Sequence, residues 1–138
     1  MKTTTHIAIL LALFATLFAG CKATSTVPVI STPSPSIDKD IIGSWEGCDG
    51  RVITFAKEGN EIIGRYTKLG GLERYKFTLN EEGYRLTEQS AGNYTGTVKW
   101  QNLSGNETWK KVSITINNNA YKDSSSDPCS KEMKRVEL

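Results

Sequence analysis

Apolar and polar side chains alternate with a period of two along most of the chain after residue 41. In the segment 108–116, for example, Val112, Ile114 and Ile116 are separated by Ser and Thr. This alternation is typical of a β-strand with one buried and one solvated face. The predicted strands span residues 42–48, 51–56, 61–68, 72–79, 84–90, 94–101, 108–116 and 130–137. No segment of this region keeps a helical period, and we therefore expect no long helix there.

Short clusters rich in Gly and Asn separate the predicted strands, as at residues 69–71 and 117–119. Both residue types tolerate positive φ, which tight hairpin turns require. Short links between successive strands favour an antiparallel up-and-down meander, and about eight such strands usually close into a barrel that has no exposed edges. The sequence therefore predicts an all-β fold with a small, roughly eight-stranded barrel. A two-sheet β-sandwich is the alternative.

The beginning of the chain has the pattern of an export signal. Lys2 precedes an uncharged apolar run at 7–19, which is too short to cross a bilayer as a helix. The tetrad at 18–21, Phe-Ala-Gly-Cys, resembles a bacterial lipobox. The resemblance implies cleavage before Cys21 and lipidation of that cysteine, whereas an ordinary secretory signal is the alternative. Lys22 stands where inner-membrane lipoproteins carry Asp, so the resemblance implies anchoring in the outer membrane, on either its periplasmic or its surface side.

A polar segment separates this signal from the alternating region. Ser, Thr and Pro dominate residues 22–39, and such a composition cannot bury enough apolar surface to offset the entropy of ordering. We interpret it as a semi-extended tether. The predicted organisation is therefore a signal peptide at 1–20, a lipidated cysteine with its tether at 21–39, and a β-barrel domain at 40–138.

Two cysteines remain in the predicted domain, Cys48 and Cys129, 81 positions apart. Because an exported protein meets an oxidising environment, we expect them to form a disulfide. The bridge would join the end of the first predicted strand to the start of the last, where a meander barrel closes. A redox-active or metal-binding pair is the alternative, but the sequence offers no third ligand near either cysteine.

Charge and residue inventory exclude several classes of function. Three of the 17 basic and one of the 15 acidic residues precede residue 40, which leaves 14 of each in a neutral domain. A neutral domain argues against nucleic acid as a partner, because phosphate binding needs a basic surface. The single histidine, His6, lies in the predicted signal, so the domain has no histidine for a catalytic triad or a metal site. We therefore expect no enzyme, no metal and no cofactor.

The first predicted strand begins with Gly43-Ser44-Trp45, at the start of the all-β meander. This tripeptide resembles the Gly-x-Trp signature of lipocalins and the wider calycin group. The resemblance implies that Trp45 caps one end of the barrel and that an Arg near the last strand, Arg135, stacks on it. The resemblance covers only this tripeptide and the strand pattern. The Thr-Asp-Tyr motif of lipocalins is absent.

The lipocalin resemblance implies non-catalytic binding, and two forms of binding compete. In the first, the barrel mouth holds a small apolar or amphipathic ligand; a cavity of at least ~300 Å³ would favour this form. The candidate ligand-binding residues are Tyr66, Tyr75, Phe77, Tyr94 and Trp100. In the second, an outward-facing Trp109 beside Lys111 contacts an envelope or host protein, because Trp often anchors interfaces. Small lipoprotein barrels that inhibit lysozyme resemble this chain in size, anchor and disulfide.

Overall fold

The computed structural model describes residues 39–137. Eight antiparallel strands form a single sheet in which every strand pairs with its neighbour in sequence, except that β8 pairs with β1. The strands are β1 Gly43–Glu46, β2 Val52–Glu58, β3 Glu61–Lys68, β4 Glu82–Ser90, β5 Asn93–Gln101, β6 Glu107–Asn117, β7 Ala120–Asp123 and β8 Lys134–Val136. The only helices described are a 3-10 helix at Leu72–Tyr75 and one short α-helix, α1, at Pro128–Lys131.

The sheet order β7-β6-β5-β4-β3-β2-β1-β8 confirms the predicted all-β meander of eight strands. The sheet is nearly closed into a barrel, and β7 and β8 lie at its two ends without pairing with each other. We call the end of the barrel with the loops at 47–51, 69–81, 102–106 and 124–127 the mouth. The opposite end, with the turns at 59–60, 91–92 and 118–119, is called the base.

The predicted strand at 72–79 is wrong. Residues 72–75 form the 3-10 helix, and the chain then turns through Lys76 and Asn80, both of which have positive φ. Such φ values cannot belong to an extended strand. Leu72 and Phe77 are buried, while Leu79 is 60% exposed, so the apparent alternation reflects a loop folded over the mouth.

The predicted last strand, 130–137, is also partly wrong. Residues 128–131 form α1, whose N-terminus is capped by the Asp127 side chain, and only Lys134–Val136 pair with β1. The sheet also contains β7, Ala120–Asp123, which the sequence pattern missed because only four residues follow the turn. That turn is formed by Asn118 and Asn119, both at positive φ, as a tight two-residue hairpin requires.

Aromatic and aliphatic side chains from all eight strands except β8 fill the interior of the barrel. In β6 the buried positions alternate, and Val112, Ile114 and Ile116 face inward as their spacing predicts. Rings pack edge-on or tilted against each other, as between Phe55 and Tyr84 with centroids 5.4 Å apart. This geometry is the favoured one for aromatic pairs. The interior between base and mouth is therefore largely filled.

The residues that precede β1 close the base. Ile41 is fully buried; its carbonyl accepts a hydrogen bond from Trp45 Nε1 at 2.8 Å, and its N–H donates to the Tyr94 hydroxyl at 3.3 Å. Arg135 lies over the Trp45 ring, 4.3 Å from its centroid, and donates to the Ile42 carbonyl at 2.8 Å. The structure thus places Trp45 and Arg135 together at the closed end of the barrel.

The predicted disulfide is confirmed: Cys48 and Cys129 are bonded, with Cα atoms 4.7 Å apart. The bridge ties the loop after β1 to α1 on the mouth side of the barrel. Along residues 39–137, no helix has the length and apolar character needed to cross a membrane. The predicted signal peptide, Cys21 and most of the tether lie outside the described residues.

Candidate ligand-binding site at the barrel mouth

The mouth contains an open cavity of about 460 Å³. Its walls come from β3 and β5, the loop at 69–81, the disulfide-linked loop after β1, and the segment that leads into α1. A cavity of this size is within the range of small-molecule sites. The lining residues are Asp49, Arg51, Tyr66, Gly71, Leu72, Arg74, Tyr75, Phe77, Val98, Lys99, Trp100, Gln101, Ser125, Ser126, Asp127, Pro128 and Ser130.

Tyr66 and Phe77 form the apolar wall of the cavity. Their rings meet edge-on with centroids 5.0 Å apart, and both residues are buried. Tyr66 lies against Gly83 of β4, where a Cβ atom would come within 2.4 Å of the ring. A side chain at position 83 would therefore displace Tyr66. Because position 83 is glycine, the Tyr66 ring can stay at the wall of the cavity and does not fill it.

Two aromatic rings at the rim each carry a cation. Arg74 lies 5.0 Å from the centroid of the Tyr75 ring, and the Lys110 ammonium lies 4.0 Å from the centroid of the Trp100 ring. Tyr75 and Trp100 are only half-buried, so part of each ring is open to the cavity or to solvent. The rim thus combines flat apolar surface with positive charge, an arrangement suited to an amphipathic molecule.

Arg51 is the most strongly held charge at the mouth. Its guanidinium pairs with Asp49 and with Asp127, the latter at 2.6 Å, and donates to Ser130 Oγ at 3.3 Å. Burial opposes ionisation of the Asp49 carboxyl, but the hydrogen bonds and charge of Arg51 outweigh it and lower the pKa of that carboxyl. This network fixes the loop after β1 to the start of α1 and so shapes one side of the cavity.

Polar groups with spare hydrogen-bonding capacity also face this region. Among residues 39–137, the buried Gln101 Oε1 has no hydrogen-bond partner, and Gln101 lines the cavity. Gln101 Nε2 is held by Glu81 at 2.8 Å, and Lys99 binds the same carboxylate oxygen at 3.0 Å. Buried polar atoms without partners are rare in native proteins. A ligand with a hydrogen-bond donor would satisfy Gln101 Oε1.

The structure brings four of the five predicted ligand-binding residues together at this cavity: Tyr66, Tyr75, Phe77 and Trp100. The fifth, Tyr94, is placed at the base instead, where its hydroxyl donates to the Lys39 carbonyl at 3.0 Å. It cannot share a site with the others, because β5 runs from base to mouth and Tyr94 lies at its base end. The alternating pattern puts Tyr94 and Trp100 on one face, but six residues of extended strand separate them by about 20 Å.

Trp109 and Lys111 lie on the outer face of β6, since Val112 and Ile114 point inward. The Trp109 ring lies between two cations, 4.5 Å from the Arg85 guanidinium and 5.3 Å from the Lys99 ammonium. The residue is half-buried. The predicted interaction surface therefore includes cations beside the Trp109 ring.

Sequence reasoning missed Arg51, Gln101 and the segment at 125–130 as parts of the site. Asp123 to Pro128 reads as an exposed polar loop, yet Ser125 is buried and Asp127 pairs with Arg51. The proximity of Cys48 and Cys129 to these residues was the available signal, because a disulfide between them must bring 49–51 near 127–130.

Comparisons of the chain with protein-family models, with curated proteins and with solved structures each give no match. Within residues 39–137, no three His, Cys, Asp or Glu side chains lie close enough together to hold a metal ion. The function is therefore inferred from the geometry of the mouth.

Proposed function

We propose that the β-barrel is a non-catalytic binding module that takes a small amphipathic ligand into its mouth. The observation that carries this proposal is the open cavity of about 460 Å³ at one end of an otherwise filled barrel. Tyr66, Phe77 and Trp100 would contact the apolar body of the ligand, since aromatic walls with a few placed polar groups are typical of such sites.

The polar groups restrict the chemistry of the ligand further. Gln101 Oε1 is buried beside the cavity and has no partner among the described residues, so it would accept a hydrogen bond from a donor on the ligand once the side chain turns towards the cavity. Lys110 and Arg74 stand over the rim rings, where they favour a negative or strongly polar tail. The proposed ligand therefore has an aromatic or aliphatic body, at least one donor group, and an anionic end at the rim.

The test uses 1-anilinonaphthalene-8-sulfonate, a fluorescent probe with an aromatic body, an N–H donor and an anionic group. We expect saturable binding with a one-to-one stoichiometry, and we expect Trp100→Ala to weaken it at least about tenfold, because a large contact surface is lost. Fluorescence titration measures both quantities. Trp109→Ala is the matched control, since it removes a Trp with neighbouring cations from the outer face. The affinity of this variant for the probe should equal that of the unchanged protein.

Protein binding through the outer face is the second proposed function, supported by Trp109 and Lys111 beside it. A filled interior would have favoured this function, whereas the mouth cavity favours the first. If Trp100→Ala and Trp109→Ala both bind the probe as tightly as the unchanged protein does, the probe does not bind at the mouth. A complex with an envelope or host protein would then support the second function, provided that Trp109→Ala abolishes the complex.

The proposed location is the cell envelope, with the barrel anchored to the outer membrane through lipid on Cys21 and held away from it by the tether. The support is the lipobox-like tetrad at 18–21 and the polar segment after it. A cysteine with several acyl chains stays in a membrane, because each buried methylene contributes about 0.8 kcal/mol.

Growth of an expressing bacterium with a clickable palmitate analogue tests this anchoring. We expect label on the wild-type protein in the membrane fraction and none on Cys21→Ser, which should leave that fraction. Cys48→Ser serves as the control, because it removes a cysteine but leaves the tetrad intact. Unlabelled wild-type protein that is released into the soluble fraction would contradict the anchor and favour an ordinary secretory signal.

A further inference from the structure

A second candidate site lies on the side of the barrel, where the sheet fails to close. β7 and β8 each pair with one neighbour only, β6 and β1 respectively, and their other edges face each other. We call the groove between them the seam; it encloses about 550 Å³. Its lining residues are Asn119, Ala120, Tyr121, Lys122, Glu132, Met133, Lys134 and Arg135.

The hairpin register decides which backbone groups β7 presents to the seam. Asn117 pairs with Ala120 across the two-residue turn, and such a terminal pair exchanges hydrogen bonds. Ser124 N–H donates to the Ser113 carbonyl at 2.9 Å, which continues the same alternation two pairs further on. Tyr121 and Asp123 therefore direct their backbone N–H and C=O groups away from β6 and towards the seam.

Side chains give the seam an apolar floor and a positive rim. Met133 and Tyr121 are buried and belong to the barrel core, so they lie at the bottom of the groove. Lys122 and Lys134 are exposed and project from the outer face, one on each side. Glu132 is the single acidic residue among those that line the groove. Arg135 lies over Trp45 at the base and donates through Nε to Asn119 Oδ1 at 3.2 Å, so a side-chain contact crosses the seam at its base end.

We propose that the seam binds an extended peptide segment of a partner protein by strand addition, and that this segment carries acidic side chains on its outward face. The edges of β7 and β8 offer it backbone hydrogen bonds, as in other cases of strand addition. Because side chains alternate across a strand, its apolar residues would face Met133 and Tyr121 while its acidic residues would meet Lys122 and Lys134.

Charge also decides between this occupant and a second copy of the chain. In edge-to-edge pairing of two copies, the exposed Lys122 or Lys134 of one copy would approach the same lysine of the other. Short edge strands with lysines are a common way in which proteins avoid pairing with themselves. An acidic partner strand converts the same lysines into attractive contacts. The seam is thus selective for a foreign acidic strand over a second copy of this protein.

The test titrates the full chain with an acetylated and amidated hexapeptide of alternating Glu and Val, followed by amide hydrogen exchange. We expect slower exchange at the Tyr121 and Asp123 amides and weaker binding at high salt, because exposed ion pairs are screened. A peptide with Lys in place of Glu should bind at least about tenfold more weakly. The Glu-Val peptide should likewise bind the double variant Lys122→Glu, Lys134→Glu at least about tenfold more weakly than it binds the unchanged protein.

Lys57→Glu is the control for net charge, because Lys57 is exposed on β2, away from the seam. Its affinity for the peptide should remain within about twofold of the unchanged protein. Equal affinity for the Glu and Lys peptides, or binding without protection of Tyr121 and Asp123, would overturn the proposal. So would protection of these amides in the free protein at rising concentration, because this result would identify a second copy as the occupant. None of these results depends on whether the mouth binds a ligand.

Discussion

Replacing both Cys48 and Cys129 by Ala lowers the free energy of unfolding by about 4 kcal/mol. The bridge closes a loop with a sequence separation of 81 residues. On the chain-entropy model, a loop of this length stabilises the fold by about 4–4.5 kcal/mol, because it restricts the unfolded chain. A small domain has a total stability of the same order, about 5–15 kcal/mol. We therefore expect the variant to be close to its unfolding transition at physiological temperature.

Urea unfolding of the oxidised protein and of the double variant measures this difference. Adding a reductant should lower the midpoint of the unchanged protein to that of the variant and leave the variant itself unaffected. A loss below about 1 kcal/mol would contradict the expectation and would mean that the reduced unfolded chain keeps its ends close together. Because the bridge holds α1 at the mouth, binding of the fluorescent probe should weaken along with stability.

Replacing Arg51 by Met lowers the free energy of unfolding by about 3 kcal/mol. The Arg51 side chain is only 9% exposed, and its removal leaves Asp49 and Asp127 facing each other without a cation. Breaking a buried ion pair from one side costs about 3–5 kcal/mol. We expect the lower end of that range, because the two carboxylates retain some contact with solvent.

The same substitution changes how stability depends on pH. In the folded protein the pKa of Asp49 is lowered from 3.8, so its ionised form stabilises the fold at any pH above that value. This contribution is lost as the pH falls through the lower, folded-state pKa. In Arg51→Met the lowering disappears, and the decline of stability below about pH 4 should be shallower than in the unchanged protein.

Arg65→Met is the matched control for Arg51→Met. Arg65 pairs with Glu58 on the surface, where the two side chains are 38% and 49% exposed. Exposed pairs contribute at most about 1 kcal/mol, so this variant should lose little stability and keep the acid dependence of the unchanged protein. A comparable loss in both variants, or a parallel acid decline in Arg51→Met, would contradict a specific role for the mouth network.

Alternation along the chain was sufficient to predict most of the sheet, because a strand that buries one face must place apolar residues at every second position. It succeeded for β6, where Val112, Ile114 and Ile116 point inward as expected. It failed at 72–79, where a buried Leu72 and a buried Phe77 belong to a folded loop rather than to a strand. A few apolar residues cannot distinguish a strand from a folded loop, since both structures bury apolar side chains.

Alternation along the strands also predicted part of the candidate site. Tyr66 and Trp100 meet at the mouth because inward side chains at one end of a small barrel converge, whereas Tyr75 and Phe77 reach the mouth from the loop at 69–81. Tyr94 does not join them, since it lies six residues before Trp100, at the base end of β5. Arg51 and Gln101 were missed altogether, because a polar residue at the end of a strand looks the same whether it is solvated or buried.

The sequence by itself determined the strand meander and the oxidised cysteine pair, because periodicity and turn chemistry are local properties of the chain and two cysteines in the domain allow only one pairing. Only the tertiary structure decided where the barrel stays open. The seam depends on β7 and β8 not pairing with each other, and the mouth cavity depends on how the 69–81 loop and the segment leading into α1 pack across one end. Both are set by contacts between residues far apart in sequence, which no local pattern records.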